Sequence, residues 1–212
     1  MVKGQRVILR VIEDNDLELC QKLFNDPNVR RMVVGWDFPV SMEAQRQWLS
    51  SLTGKKNDVR FVIETEEGKS IGVTGLWDID WHNRHALTAT KLLPSDGAIG
   101  KGYGRDAIMT VSAYAFYEVG LNRLWGSIID YNKASFKAYV ERSGWRVEGR
   151  LRKHIFRSGT FHDLYYVACL KSDFEIVPDA KAYRAPYLPP EIDDTIEWAR
   201  FVAEGNPLQD LE

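Results

Sequence analysis

Cysteine is scarce in this chain of 212 residues. Its two cysteines, Cys20 and Cys169, cannot build a disulfide framework and offer no metal-ligand spacing. No stretch approaches the roughly 18 uninterrupted apolar residues of a membrane span. Met1-Val2-Lys3-Gly4-Gln5-Arg6 leads into only a short apolar run, so no secretory signal is visible. The dense Lys/Arg stripes typical of nucleic-acid binders are missing, and so is any internal repeat. These absences predict a cytoplasmic, metal-free protein with neither membrane nor nucleic acid as a partner.

Hydrophobic residues make up 44% of the chain and charged residues 27%, an ordinary balance for a folded protein of about one domain. The net charge of −2 is uneven. Residues 173–212 hold ten acids and three bases, whereas residues 1–172 hold 20 acids and 25 bases. A moderately basic body suits a polyanionic small molecule. The boundary between the two compositions gives the expected organisation: a domain over 1–172 and an acidic, proline-containing extension over 173–212.

Periodicity orders the elements. Val7-Ile8-Leu9-Arg10 reads as a strand, and Leu17, Cys20, Leu23 and Phe24 lie at helical spacing up to Asn25-Asp26-Pro27-Asn28. Ser41 is placed to cap a second helix. Strands are predicted over Val59–Glu64, Ile71–Trp81 and Ala86–Leu93, with turns at Glu66–Lys69 and His82–Arg84. A long helix over Arg105–Val119 follows, then a strand Leu121–Ile129, a helix capped by Asn132 and ending at Gly144, and strands Trp145–Phe156 and Phe161–Leu170. Pro178, Pro186, Pro189 and Pro190 predict an extended linker, followed by a short helix near Glu191–Glu204.

Gly100, Gly102 and Gly104 sit between a strand end and a helix start. Glycines there let successive amides point into one concavity, where the helix dipole favours an anion such as pyrophosphate. Lys101 and Arg105 add countercharge. A flexible connection is the plainer alternative. The spacing fits neither a Walker loop (G-x-x-x-x-G-K-S/T) nor a dinucleotide fingerprint (G-x-G-x-x-G), because Gly102 and Arg105 occupy the decisive positions.

Ile99-Gly100-Lys101-Gly102-Tyr103-Gly104 resembles the acyl-coenzyme-A loop Q/R-x-x-G-x-G/A of the GNAT acetyltransferases. Asn132-Lys133-Ala134-Ser135-Phe136-Lys137-Ala138-Tyr139 with Gly144-Trp145 is similar to that family's next signature. Asn25-Asp26-Pro27-Asn28-Val29, Glu148–Arg152 and Gly159–Asp163 resemble the branch holding ribosomal-protein-alanine N-acetyltransferases. The resemblance covers about residues 4–172 and implies an α/β (α+β) fold. Its central, mostly antiparallel sheet would have about seven strands flanked by about four helices, and would be splayed at the middle.

The resemblance also implies acetyl-CoA as cosubstrate and a primary amine, small molecule or protein N-terminus, as acceptor. Leu92 and Leu93 would meet the pantetheine arm, and the backbone of Ile99, Gly100, Lys101, Gly102, Tyr103, Gly104 and Arg105 the pyrophosphate. Asn132, Ser135 and Phe136 would lie beside the cofactor, although Asn132 also reads simply as a helix cap. Tyr139 would protonate the departing thiolate, or else be an ordinary helix aromatic. Ile99 departs from the family's Gln or Arg, and Leu87 stands where many relatives carry a basic Glu. That leaves Asp78, Asp80, His82 or His85 as replacements, with Asp78 and His85 the candidates carried forward. Trp36, Trp77 and Trp81 could line an acceptor cleft. The protein is expected as a monomer or homodimer, and a non-catalytic acyl-CoA-binding sensor or scaffold is the competing reading.

Overall fold

Apolar alternation builds the sheet from its first strands. In the computed structural model, which describes residues 1–94, 97–98 and 100–188, β1 (Val2–Lys3) pairs antiparallel with β2 (Val7–Val11). Val7 and Leu9 of β2 are buried. Helix α1 (Leu17–Asn25) buries Leu17, Cys20 and Leu23 along one stripe. The Asp-Pro pair that closes α1 also opens a further short helix, α2 (Pro27–Met32), which the sequence did not lead us to expect. Asp26 accepts from the amides of Asn28 at 2.7 Å and Val29 at 3.2 Å, and Pro27 takes the first helical position. Ser41 caps α3 (Met42–Leu52) through the Ala44 amide at 3.1 Å.

The hairpin of β3 (Asp58–Thr65) and β4 (Ser70–Asp80) continues into β5 (His85–Thr88) and a two-residue β6 (Lys91–Leu92). Then come α4 (Tyr103–Ala113), β7 (Arg123–Ile129), α5 (Lys133–Phe136), β8 (Arg146–Arg157) and β9 (Thr160–Leu170). Both α4 and α5 run on into wider π turns, Tyr114–Glu118 and Lys137–Glu141. The sheet order is β1-β2-β3-β4-β5-β7-β9-β8, with β6 attached to β4. One neighbouring pair, β5 and β7, is parallel. One face carries Val62, Val73 and Leu93 beneath α1–α3, and the other carries Phe61, Ile63 and Leu76 against α4.

The strand expected as continuous over Ala86–Leu93 is broken, and the break positions the site. β5 follows β7 through Ala86↔Leu124 and Leu87↔Trp125. Beyond Thr88 the chain parts from β7 while keeping β4 as its neighbour, β6 pairing with β4 through Lys91↔Val73 and Leu92↔Gly72. Gly126 lies at the fork, where a Cβ would stand 3.0 Å from the Thr88 carbonyl. Past that point the facing edges of β6 and β7 have no strand between them.

The expected extended linker is replaced by helical turns. Residues α6 (Lys171–Glu175) and α7 (Ala180–Arg184) lie on the body, and Phe174, Val177, Ala180 and Tyr183 join its main core. Apolar side chains at these positions outweigh the proline signal. The helix expected near Glu191–Glu204 lies outside the described residues. Among the described residues no helix is long and apolar enough to cross a membrane, and no cluster of His, Cys, Asp and Glu could hold a metal.

Candidate active site

Gly100 and Gly102 both adopt left-handed backbone, φ +84° and +86°, which side chains with a Cβ rarely tolerate. Gly102 is the N-cap of α4 and no side chain caps that helix. Its first amides therefore face outward beside the positive end of an eleven-residue helix. Arg6 steadies the loop by donating to the Lys101 carbonyl at 3.0 Å. Leu92 reaches the loop from β6, its Cδ1 standing 3.3 Å from where a Gly104 Cβ would be. Tyr103 is half-buried against the core, and the Leu93 side chain turns to the opposite face, among Leu23 and Val29. Ile99 lies outside the described residues.

Arg105 is not the free countercharge its position promised. Its guanidinium grips both carboxylate oxygens of Asp179 at 2.6 Å, and its Nε donates to the Arg142 carbonyl at 3.0 Å. The pair ties α4 to the C-terminal segment and holds the Asp179 carboxyl below its ordinary range.

Tyr139 stands on the same face as α4, its ring edge-on to Trp145 at 4.9 Å. Its hydroxyl accepts the Thr90 amide at 2.8 Å, inside the gap between β5 and β6. Burial pushes the phenol up from its ordinary value, with the Thr90 hydrogen bond acting the other way. The hydroxyl is therefore protonated at neutral pH, with its own proton left for a second partner. Asn132 is a cap in fact: Oδ1 accepts the Ser135 amide at 3.1 Å and Nδ2 donates to the Met32 carbonyl at 3.2 Å. Phe136, half-buried, meets Tyr165 edge-on at 5.3 Å.

Asp78 and His85 are not brought to this point. Asp78 is exposed on a bulge of β4 with φ +51°, and His85 pairs with Asp80 at the β4–β5 turn. His85 Nε2 lies 3.7 Å from the Asp80 carboxylate. Thr90 is five residues further along the strand, about 16 Å at strand rise. His85 thus sits at the end of β5 away from the splay, and Asp78 lies on β4 next to Trp77, the partner of Leu87. The thiols of Cys20 and Cys169 are no nucleophiles either, since burial pushes each up to about 12.

Sequence reading missed Lys91. Strand alternation puts it on the α1–α3 face, the reverse of Tyr139, next in the chain to Thr90. It is 9% exposed, with Nζ 5.0 Å from the Trp36 ring and 4.7 Å from the Trp77 ring. Desolvation, assisted by the field of Arg60, lowers its pKa to about 7. Arg60 itself stacks over Trp77 at 4.1 Å and is held by Asp58. The available signal was a lone lysine within the otherwise apolar and hydroxylic Ala89-Thr90-Lys91-Leu92-Leu93. Trp36 and Trp77 do converge, whereas Trp81 is largely exposed and donates to the Lys56 carbonyl at 3.2 Å.

Comparison with known proteins gives the family. A family model described as an acetyltransferase (GNAT) domain matches residues 6–146. The SPbeta prophage-derived uncharacterized N-acetyltransferase YokL of Bacillus subtilis is 24% identical over 173 residues, spanning 82% of this chain and 94% of YokL. YdaF of the same species, provisionally named a ribosomal N-acetyltransferase, is 25% identical over 182 residues, spanning 81% of this chain and 95% of its own. The spermidine N-acetyltransferase from Vibrio cholerae, solved in complex with CoA and spermine, superposes with a TM-score of 0.73 at 24% identity, covering 80% of this chain and 98% of that one. Matched across residues 6–146 by its family model and named alongside acetyltransferases throughout, the chain belongs to the GNAT acetyltransferase family and is an N-acetyltransferase.

Proposed function

We propose that this chain moves an acetyl group from acetyl-CoA directly to a primary amine at the fork where β6 parts from β7. The observation that carries the reading is the Tyr139 hydroxyl held by the Thr90 amide at 2.8 Å, at the fork itself. The residues present fit the cosubstrate. Gly100–Gly104 offers an uncapped helix end for pyrophosphate, and the open edge of β6 offers backbone groups to a pantetheine amide. Acetyl-CoA supplies the activated thioester. Tyr139 supplies a proton where the thiolate departs, and the α1–α3 face receives the amine.

The acceptor is proposed to be a monoamine, either a small molecule or a protein N-terminus. The Vibrio cholerae relative holds spermine, but here the Arg60 guanidinium already covers the Trp77 ring that a polycation would use. Cation beside cation disfavours binding. Purified protein given acetyl-CoA and a panel of amines should release free thiol, with spermidine and spermine at least about tenfold poorer in kcat/KM than the best monoamine. CoA binding without thiol release from any amine would favour the sensor reading instead.

The loop is tested separately. Gly102→Val forces a β-branched residue into left-handed backbone, at a cost of about 1–3 kcal/mol. The expected result is CoA binding weakened about tenfold by calorimetry. Unchanged affinity would remove the loop from the cosubstrate site.

A further inference from the structure

We infer that Lys91 is the proton acceptor for the incoming amine, working across the strand from Tyr139 and in place of a carboxylate. The inference rests on the acyl-transfer site proposed at the splay.

Position argues first. Tyr139 packs in the core on the α4 face, whereas Lys91, paired with Val73, lies on the α1–α3 face, so the two approach the fork from opposite sides of the sheet. Thr90 fixes the Tyr139 hydroxyl on one face. Lys91 places Nζ between Trp36 and Trp77 on the other. A thioester lying in the fork would then have a proton donor on its sulfur side and a proton acceptor on its amine side. Leu87, next to the fork and paired with Trp125, supplies no basic group.

Chemistry argues second. A buried ammonium is ordinarily paired with a carboxylate, because an unpaired one is costly. The charged groups near this face are Arg60 and Asp58 on β3, paired with each other, and Asp37 beside Trp36, paired with Arg157 at 2.8 Å. Among the described residues no carboxylate forms an ion pair with Lys91. Its surroundings favour the neutral amine, which becomes available as pH rises through about 7. A neutral Nζ carries the lone pair that a base requires.

The step balances. The acceptor nitrogen attacks the thioester carbonyl carbon, the N–C bond forms and the C–S bond breaks. The proton lost by the acceptor nitrogen passes to Lys91 Nζ, and the sulfur takes the Tyr139 hydroxyl proton. Water then relieves Lys91 of its proton and restores that of Tyr139, so the products are an amide and a free thiol.

The test compares wild type with Lys91→Met and Lys91→Arg over pH 5.5–9, with one acceptor for all three. In the wild type, kcat should rise through an inflection near 7. Both variants should lose that inflection and lie on the order of 10²-fold lower in kcat, with CoA affinity within about twofold of wild type. Arginine decides between roles: it preserves a cation between the two tryptophans but cannot accept a proton at these pH values. A merely structural cation would let Lys91→Arg retain the wild-type rate, and that result overturns the assignment. So does an unchanged inflection in Lys91→Met. Methionine fills the volume without burying a charge, so that variant should melt no lower than wild type. Should it fail to fold, NMR titration of the lysine Cε signals in the wild-type chain serves instead, and absence of any lysine titrating near 7 overturns the proposal. Wild-type protein that acetylates no amine would overturn the acyl-transfer reading itself.

Discussion

Replacing Tyr139 with Phe is expected to lower kcat by about 10²–10⁴-fold, the range that a positioned proton donor contributes, while CoA affinity stays within about twofold. The ring would still pack edge-on to Trp145 and remain buried, so the cavity does not collapse. What disappears is the hydroxyl that accepts from Thr90. Without it, the departing thiolate must take its proton directly from water, with no positioned donor. Burial holds the phenol above its ordinary value, so the acid form persists across neutral and mildly alkaline pH. The Tyr139-dependent part of the rate should therefore show no alkaline decline below about pH 10. The stability effect should be smaller. The Thr90 amide loses its partner, which costs about 1–3 kcal/mol if water does not replace it. Thiol release and a thermal melt on the same preparation separate the two effects. A wild-type rate in Tyr139→Phe would take the residue out of the mechanism.

The parts of this site that were legible in the sequence are those fixed by local backbone chemistry. The glycines of the loop are required by left-handed φ at Gly100 and Gly102, and Asn132 and Ser41 cap helices where their positions predicted. The β-hairpins followed period-two alternation and turn residues in the same way. What was not legible depends on pairing across distance. The break at Ala89-Thr90 arises because the chain keeps β4 beside it but loses β7, which no local propensity encodes. Lys91 reads as a solvated strand lysine until Trp36, some 55 residues earlier, folds over it. Arg105 read as a phosphate partner because Asp179 is far along the chain. His85 and Asp78 were near the missing Glu position, and the structure puts His85 beside Asp80 at the β4–β5 turn and Asp78 exposed on the β4 bulge next to Trp77.

The largest stability effect is expected from Asp106→Ala, and it bears on the acidic character of the C-terminal segment. One oxygen of the Asp106 carboxylate accepts from the Gln5 amide at 3.1 Å and the Tyr183 hydroxyl at 2.6 Å. The other accepts from the amides of Arg6 at 2.8 Å and Val7 at 2.9 Å. Four donors thus converge on a buried group in the first turn of α4, where the helix dipole favours negative charge. Alanine leaves these donors without an acceptor, a loss of about 3–5 kcal/mol out of a usual total of 5–15. The melting temperature should fall by about 10 °C or more for a chain of this size. Tyr183→Phe removes one of the four bonds and should cost only about 1–2 kcal/mol. If Asp106 were a surface acid, the two variants would melt alike. The same contacts explain why the C-terminal segment is attached: Asp179 grips Arg105, Asp173 meets Arg146 at 2.6 Å, and Phe174 is fully buried. Among the described residues Asp173 and Asp179 answer bases of the body, and the contacts of Tyr183 with Asp106 and of Asp179 with Arg105 brace the helix that follows the glycine loop. Loosening that brace in Asp106→Ala should therefore weaken CoA binding as well as stability, although Asp106 itself is buried behind the loop; CoA affinity equal to wild type in a folded Asp106→Ala protein would show that the loop holds its shape without the brace.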